Sequence, residues 1–92
     1  MQEHAEDAGT VRLCMTIGRK DHIKVEDIVK SIITESRVPF KKIGKIDILD
    51  KFTFVEVPLE FSERIIRSMN DIVMKGRRVK IKRAGAAREK DY

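Results

Sequence analysis

Few of the residues that build disulfides, metal sites or membrane anchors occur in this 92-residue chain. The single cysteine, Cys14, excludes a disulfide within the chain and is typical of a reducing compartment. The histidines His4 and His22 lack partners at metal-ligand spacing, so we expect no metal and no other cofactor. No apolar run reaches membrane-spanning length, and the acidic start MQEHAEDAG is no signal peptide. We expect a soluble, cytoplasmic protein without membrane contacts.

Positive charge, in contrast, is abundant, because 20 basic residues against 15 acidic ones give a net charge of +5. Six cations fall within residues 75–83, a stretch that contains no acidic residue: Lys75, Arg77, Arg78, Lys80, Lys82 and Arg83. Such a run is typical of a solvated strand edge kept soluble by lysine, or of a phosphate-binding stripe. Composition alone leaves both interpretations open.

Hydrophobic periodicity in the first half of the chain predicts a strand and then a helix. Apolar and polar residues alternate from Val11 to Ile17, which indicates a half-buried strand. Apolar residues then recur at helical spacing from Val25 to Ile33. Because Pro39 cannot continue a helix, we expect this one to end near Ser36.

The second half predicts a hairpin, a helix and a last strand. The strand around Ile46 and Ile48 is separated from residues 52–57 by a very short turn, which predicts an antiparallel hairpin. LEFSERIIRSMN, residues 59–70, repeats apolar residues at helical spacing. A turn then leads to a last strand at residues 78–82, where Val and Ile alternate with cations.

The predicted order of elements, β-α-β-β-α-β, defines an α+β fold. Two right-handed βαβ crossovers place both helices on one face of a four-stranded antiparallel sheet, which is the ferredoxin-like arrangement. We expect one domain over residues 10–84, an acidic tail or linker end over residues 1–9, and a flexible tail over residues 85–92. One face of the sheet should remain open.

Strand alternation assigns the side chains to the two faces of this sheet. The consistent apolar set should lie beneath the helices: Val11, Leu13, Met15, Ile17, Ile46, Ile48, Val55, Val57, Val79 and Ile81. The opposite, open face then carries Arg12, Cys14, Thr16, Asp47, Leu49, Phe52, Phe54, Glu56, Lys80 and Lys82. Two phenylalanine rings are therefore expected outside the core.

Exposed rings among cations suit nucleic acid, since a base stacked on an aromatic side chain gains about 1–3 kcal/mol and neighbouring cations neutralise phosphates. Other occupants of Phe52 and Phe54 are also open at this point. The terminal segment AGAAREKDY, a partner protein or a small molecule could cover the rings instead.

DKFTFVEV, residues 50–57, resembles a degenerate RNP1 segment of RNA recognition motifs, K/R-G-F/Y-G/A-F-V-x-F/Y. Three longer segments, VRLCMTIGRKD, IGKIDILDKFTFVEVP and GRRVKIKRA, together resemble the DbpA-type RNA-binding domain at the carboxyl terminus of bacterial DEAD-box RNA helicases. The resemblance covers residues 11–84. IGRKD and D-x-F-x-FVEVP at this separation are its most specific pair of motifs.

The resemblance implies a module that captures structured RNA, typically ribosomal RNA, for an ATP-driven helicase core elsewhere in the parent chain. The sequence contains neither a G-x-x-x-x-G-K-[ST] loop nor a D-E-A-D segment, so we expect no enzymatic activity and no small-molecule substrate. Cys14 stands where RNA recognition motifs usually carry an aromatic residue, which shifts the expected binding toward cations. The predicted RNA contacts are Arg12, Cys14, Thr16, Arg19, Lys20, Lys51, Phe52, Phe54, Arg77, Arg78, Lys80, Lys82 and Arg83.

Two rival functions fit the same fold. The open sheet could dock a partner protein, in which case binding would respond little to salt. An acylphosphatase-like activity would need an anion loop and a group that positions water. Arg19 and Lys20 after Gly18 offer cations, but no such group is evident.

Overall fold

The computed structural model describes residues 9–84, and the elements of its main sheet and its two helices follow the predicted order. The strands of the main sheet are β1 (Thr10–Met15), β2 (Ile46–Ile48), β3 (Thr53–Pro58) and β6 (Ile81–Arg83). The helices are α1 (Val25–Ser36) and α2 (Leu59–Met69), and 3₁₀ turns occupy Arg19–Asp21 and Phe40–Lys42. Apart from Gly9, the predicted tails at residues 1–9 and 85–92 lie outside the described residues.

The sheet order is β2-β3-β1-β6, and all neighbouring strands are antiparallel. α2 packs against β1, β3 and β6, and α1 packs against α2. The two helices thus form one layer and the sheet the other. This confirms the predicted α+β, ferredoxin-like fold of RNA recognition motifs.

The core lies between the two layers and contains the apolar set that strand alternation predicted. The members of that set with at most 5% exposure are Leu13, Met15, Ile17, Val55, Val57, Val79 and Ile81, of which Ile17 and Val79 flank the strands. Val11, Ile46 and Ile48 are partly buried and pack against this cluster. The helices contribute Ile28, Ile32, Ile65 and Met69. The hydroxyl of Thr53, also buried, donates a hydrogen bond to the carbonyl of Ile17 at 2.7 Å.

Helix α1 has local signals at both ends. The carboxylate of Asp27 accepts a hydrogen bond of 2.9 Å from the backbone N–H of Lys24, which satisfies a donor at the helix start. The helix ends at Ser36, as Pro39 predicted. Arg37 follows in the left-handed conformation, with φ of 61°, and its N–H donates to the carbonyl of Ile33 at 2.9 Å.

The segment before the last strand differs from the sequence-based prediction. Residues 73–78 form an extra hairpin of β4 (Val73–Met74) and β5 (Arg77–Arg78), and β6 begins only at Ile81. Lys75 and Gly76 both have positive φ, 51° and 79°, as a type I′ hairpin turn requires. Arg77 and Arg78 therefore lie on a separate hairpin and not on the last strand of the main sheet.

Residues 9–84 contain neither a helix that could span a membrane nor a cluster that could hold a metal. None of the helices in this part of the chain combines the length and the apolarity needed to cross a bilayer. Nor does it bring together three or more His, Cys, Asp or Glu side chains in a group that could hold a metal ion.

Candidate nucleic-acid interface

The open face of the sheet carries a row of side chains that crosses all four strands. Strand register aligns Asp47 on β2 with Phe54 on β3, Phe54 with Cys14 on β1, and Cys14 with Lys82 on β6. Directly opposed residues of antiparallel strands share a face, so the four side chains lie on the side away from the helices. Phe54 and Lys82 thus lie on the open face, as alternation predicted.

Phe54 is less open than the sequence indicated. The guanidinium carbon of Arg12 lies 4.5 Å from the centroid of the Phe54 ring, and Arg12 Nη2 lies 3.5 Å from Asp47 Oδ2. A cation above an aromatic ring gains about 0.5–1 kcal/mol at an exposed site. The expectation of two rings left in water is therefore wrong for Phe54, which is half-buried under an arginine from the neighbouring strand.

Phe52 is the exposed ring of the pair, with 45% of its surface accessible. It borders a cavity of 280 Å³ on the open face, whose other lining residues are Cys14, Thr16, Asn70, Lys80, Ile81 and Lys82. The cavity has a mostly apolar lining with one aromatic wall, and the side chains of Thr16, Asn70 and two lysines border it. Such a combination can stack a planar group and hydrogen-bond its edge.

Cys14 lies among the residues that line this cavity and is 9% exposed. Burial raises the pKa of the thiol above its ordinary value, while the positive charges of Lys82 and Arg12 act in the opposite direction. A protonated thiol is a poor nucleophile. The arrangement fits a small, unreactive side chain at this position of the open face.

The loop between β1 and α1 docks onto the turn between β2 and β3. The backbone N–H of Arg19 donates to the carbonyl of Leu49 at 2.7 Å, and that of Lys20 donates to the carbonyl of Asp50 at 3.0 Å. A Cβ at Gly18 would collide with both of these carbonyl groups, so only glycine fits there. The motifs IGRKD and D-x-F-x-FVEVP are thus joined by direct backbone contact.

Five predicted RNA-contacting cations belong to the segments at this end of the sheet, which we call the basic edge: Arg19, Lys20, Lys51, Arg77 and Arg78. Arg77 joins the group because its Nε donates to the carbonyl of Thr16 at 3.3 Å and its Nη1 lies 3.8 Å from Asp21 Oδ1. Asp21 in turn accepts a hydrogen bond from the N–H of Gly18 at 3.1 Å. Three sequence segments therefore converge on the basic edge.

Within residues 9–84, some of the predicted RNA-contacting cations have a carboxylate partner and others do not. Arg19 Nη1 lies 3.6 Å from Asp50 Oδ1, and Lys80 Nζ lies 2.6 Å from Asp71 Oδ1. Within the same residues, no ion pair involves Lys20, Lys51, Arg78 or Lys82. Exposed ion pairs contribute only about 0–1 kcal/mol, so a phosphate can compete for the paired cations as well.

One predicted contact lies apart from the rest. Arg83 aligns with Leu13 on β1, which puts it on the helix side of the sheet, and its Nη2 lies 3.3 Å from Ser62 Oγ on α2. The structure therefore does not bring Arg83 to the open face. Alternation counted from Lys82 could have indicated this position, because neighbouring residues in a strand point to opposite faces.

Two residues of the interface were not among the predicted contacts. Asn70 lines the cavity beside Phe52, and its Oδ1 accepts a hydrogen bond from the N–H of Ile81 at 3.3 Å. Leu49, 46% exposed, lines a second, shallower cleft with Arg19, Asp50, Lys51 and Phe52. The sequence places Asn70 at the end of the predicted second helix, but its approach to β6 depends on tertiary structure.

Comparison with known proteins assigns the chain to a family. Residues 12–83 match the family described as the DbpA RNA binding domain, which is most of the chain. The chain therefore belongs to the DbpA RNA-binding domain family. It is a small RNA-binding domain, and the predicted resemblance is confirmed.

Two individual proteins are similar to the chain. An uncharacterized protein of Treponema pallidum (strain Nichols) is 29% identical over 80 residues, which cover 87% of this chain and 35% of that protein. The chain thus spans about a third of that relative's length. A chain in the structure of the Chaetomium thermophilum Mex67:Mtr2 complex superposes with a TM-score of 0.64 at 12% identity, covering 82% of this chain and 93% of that one. At this identity the likeness concerns the fold alone.

Proposed function

We propose that this domain captures structured RNA, with ribosomal RNA as its substrate class, through the open face and the basic edge. The main support is the exposed ring of Phe52, which lies beside Lys51 and Lys82. Neither lysine has a carboxylate partner in residues 9–84. A ring offers stacking to any base, while lysines neutralise phosphates regardless of sequence. Family membership supports RNA as the partner.

We further propose that the domain recognises RNA for a DEAD-box helicase core in the same parent protein, which acts in the cytoplasm. The relative in Treponema pallidum carries a similar region within a longer chain. The resemblance to DbpA-type domains implies that such a core supplies ATP hydrolysis. The 92 residues contribute binding and orientation of the RNA substrate.

The geometry supports a division of labour on this surface. Phe52 stacks an unpaired base, and the polar lining of the adjoining cavity, Thr16, Asn70 and Lys82, contacts the edge of that base. Arg12 holds Phe54 and Asp47 in place and presents its own guanidinium plane as a second stacking surface. Lys20, Lys51 and Arg78 bind phosphates on the segments that flank the stacked base.

The experiment measures fluorescence anisotropy of labelled ribosomal RNA hairpins with the 92-residue chain at several salt concentrations. Affinity should fall as salt rises, with a slope of about 0.7–0.9 per phosphate contacted in a logarithmic plot. Phe52→Ala should weaken binding by about 1–3 kcal/mol. Leu59→Ala is the matched control, since Leu59 on α2 is 43% exposed but belongs to the helix layer.

Equal affinities of Phe52→Ala and Leu59→Ala would contradict a role for the open face. Binding that barely responded to salt would favour a protein partner over RNA. For the ribosomal assignment, RNA recovered from cell extract by the wild-type chain should be enriched in ribosomal sequences relative to RNA recovered by Phe52→Ala. Equal enrichment by both would contradict that assignment.

A further inference from the structure

A second cationic segment with an exposed ring lies at the end of the sheet opposite the basic edge. Residues 37–45, RVPFKKIGK, connect α1 to β2 and contain four basic residues and no acidic one: Arg37, Lys41, Lys42 and Lys45. We call this segment the α1–β2 loop. Its Phe40 is 67% exposed, more than any other large hydrophobic residue in the described part of the chain. None of these residues belongs to the predicted RNA-binding set.

The α1–β2 loop has a defined conformation. Val38 is buried in the core at 1% exposure, and the 3₁₀ turn Phe40–Lys42 is closed by a hydrogen bond of 2.9 Å from Lys42 N–H to the carbonyl of Pro39. On the β3 side, Gly44 N–H donates to the carbonyl of Glu56 at 2.7 Å. The loop is thus anchored at both ends, and its backbone loses little conformational freedom on binding.

The cations of the loop have no carboxylate partners among residues 9–84. In this part of the chain, no ion pair within 4.0 Å involves any of the four basic residues of the loop, Arg37, Lys41, Lys42 and Lys45. Glu56 contacts this segment through its backbone, because its N–H donates to the carbonyl of Lys45 at 3.0 Å. Four basic side chains within nine residues create a positive potential that attracts polyanions.

The distance from the basic edge suits one RNA molecule that contacts both. β2, Ile46–Ile48, lies between the α1–β2 loop and the Leu49–Phe52 turn, and three extended residues span about 10 Å. Along one strand of double-stranded DNA the phosphates are spaced by about 3.4 Å along the axis, and the spacing in RNA is of the same order. A few nucleotides therefore reach from one end of β2 to the other.

We propose that the α1–β2 loop is a second RNA contact of this domain, in which Phe40 stacks a base and the four cations bind the flanking phosphates. The proposal rests on the proposed function, because it extends the RNA footprint past the sheet to the far end of β2. RNA is favoured over an acidic protein since the flat exposed ring stands among cations within one short turn, and bases with phosphates supply complementary groups at that spacing.

The test compares Phe40→Ala and the double variant Lys41→Gln/Lys42→Gln with a matched control, Lys24→Gln/Lys30→Gln. The control removes the same charge from exposed residues at the start and middle of α1. Affinity for ribosomal RNA hairpins should fall roughly 5- to 150-fold in Phe40→Ala. In Lys41→Gln/Lys42→Gln the slope of log affinity against log salt should decrease by about 0.7–0.9 for each phosphate that the loop no longer neutralises. The control should retain the wild-type slope.

Failure of this proposal differs from failure of the proposed function. If wild-type RNA binding depends on Phe52 but Phe40→Ala and Lys41→Gln/Lys42→Gln behave like the control, the loop is not an RNA contact and the open face still is. If no hairpin binds the wild-type chain, both proposals are overturned. Amide shifts of Phe40 to Lys45 in an NMR titration provide a readout without mutation, and unshifted amides at saturating RNA would refute the contact.

Discussion

The two ends of the open sheet carry similar numbers of cations but hold them by different means. At the basic edge, Arg19 and Arg77 are fixed by Asp50 and Asp21 at 3.6 and 3.8 Å, so part of the positive charge is compensated. In the α1–β2 loop, backbone hydrogen bonds and the buried Val38 fix the chain. Its basic side chains have no carboxylate partner within residues 9–84.

A carboxylate can orient a cation, but it also weakens the attraction of that cation for phosphate. A fixed loop backbone sets only where a basic side chain begins, and it leaves the positive charge uncompensated. The paired cations of the basic edge, Arg19 and Arg77, should therefore contribute mainly to the geometry of RNA recognition. The α1–β2 loop should contribute mainly to attraction, and its share of the affinity should depend more steeply on salt.

Removing the exposed phenylalanine ring at each end of the sheet should cause the greatest loss of RNA affinity. Phe40→Ala and Phe52→Ala should each cost about 1–3 kcal/mol of RNA affinity, and the double variant should lose about 2–6 kcal/mol. The sites lie at opposite ends of β2, so the losses should add within about 0.5 kcal/mol. Anisotropy titrations of the two single variants and the double variant check this. Strongly non-additive losses would mean that the two ends do not act independently.

Disturbing the contact between the β1–α1 loop and the β2–β3 turn should reduce folding stability, by less than the loss of RNA affinity in the double variant. In Gly18→Ala the new Cβ would collide with the carbonyl groups of Leu49 and Asp50, which should cost about 1–3 kcal/mol of folding stability. In Gly44→Ala, at the other end of the sheet, the new Cβ would lie 3.1 Å from the carbonyl oxygen of Glu56, a milder contact. Urea denaturation should rank Gly18→Ala as the less stable variant. The opposite ranking would contradict the tight docking.

Neutralising a carboxylate that competes with RNA should raise affinity slightly. Asp71→Asn releases Lys80 beside Phe52, and because exposed ion pairs contribute about 0–1 kcal/mol, binding should tighten by about fivefold at most. The hydrogen bond from Lys80 lowers the pKa of Asp71, so the carboxylate stays charged at neutral and mildly acidic pH and is protonated only as pH falls through that lowered value. Acidification to about pH 5 therefore cannot replace the substitution.

Glu56→Gln is the control for Asp71→Asn. It removes one negative charge from the same face, where Glu56 has no ion pair within residues 9–84. It should change affinity less than Asp71→Asn. An equal gain in both variants would show that net charge, and not the release of Lys80, is responsible.

The smallest effect concerns the thiol beneath the open face. Because burial raises the pKa of Cys14, the thiol should react with iodoacetamide more slowly than free cysteine at pH 8, and faster as pH rises. The folded state holds this proton more tightly than the unfolded state, so the associated stability is complete below the unfolded pKa and declines at higher pH. Mass spectrometry of the alkylated chain measures the rate. Rapid labelling at pH 7 would indicate that Lys82 and Arg12 outweigh burial.

Strand alternation predicted which side chains lie on the open face, because the period of two belongs to the extended backbone and does not depend on how the side chains pack. It placed Phe54 there, but the cover provided by Arg12 depends on which residues of β1 and β3 are aligned. It could not reveal the β4–β5 hairpin either. Val73, Met74, Arg77 and Arg78 are too few to produce a periodic signal, and the turn at Lys75 and Gly76 defines the hairpin instead.

The number of basic residues in a segment such as residues 75–83 does not show which of them are free to bind phosphate. A count of cations registers charge density, but whether a cation is free depends on carboxylates far away in sequence, as with Arg77 and Asp21. The same count passed over residues 37–45, where the charges are fewer but have no ion-pair partner within residues 9–84. The number of basic residues in a segment and their freedom from carboxylate partners in the folded chain are therefore different properties.

Periodicity and local motifs are properties of neighbouring residues, so the sequence alone predicts the order of the helices and the main-sheet strands, the buried face of each strand and membership of an RNA-binding family. The folded structure is needed to show that Phe52 is open while Phe54 is covered, that Gly18 joins two distant motifs, and which cations of residues 9–84 have a carboxylate partner there. These features depend on contacts between residues far apart in the chain, and strand register and loop docking set those contacts.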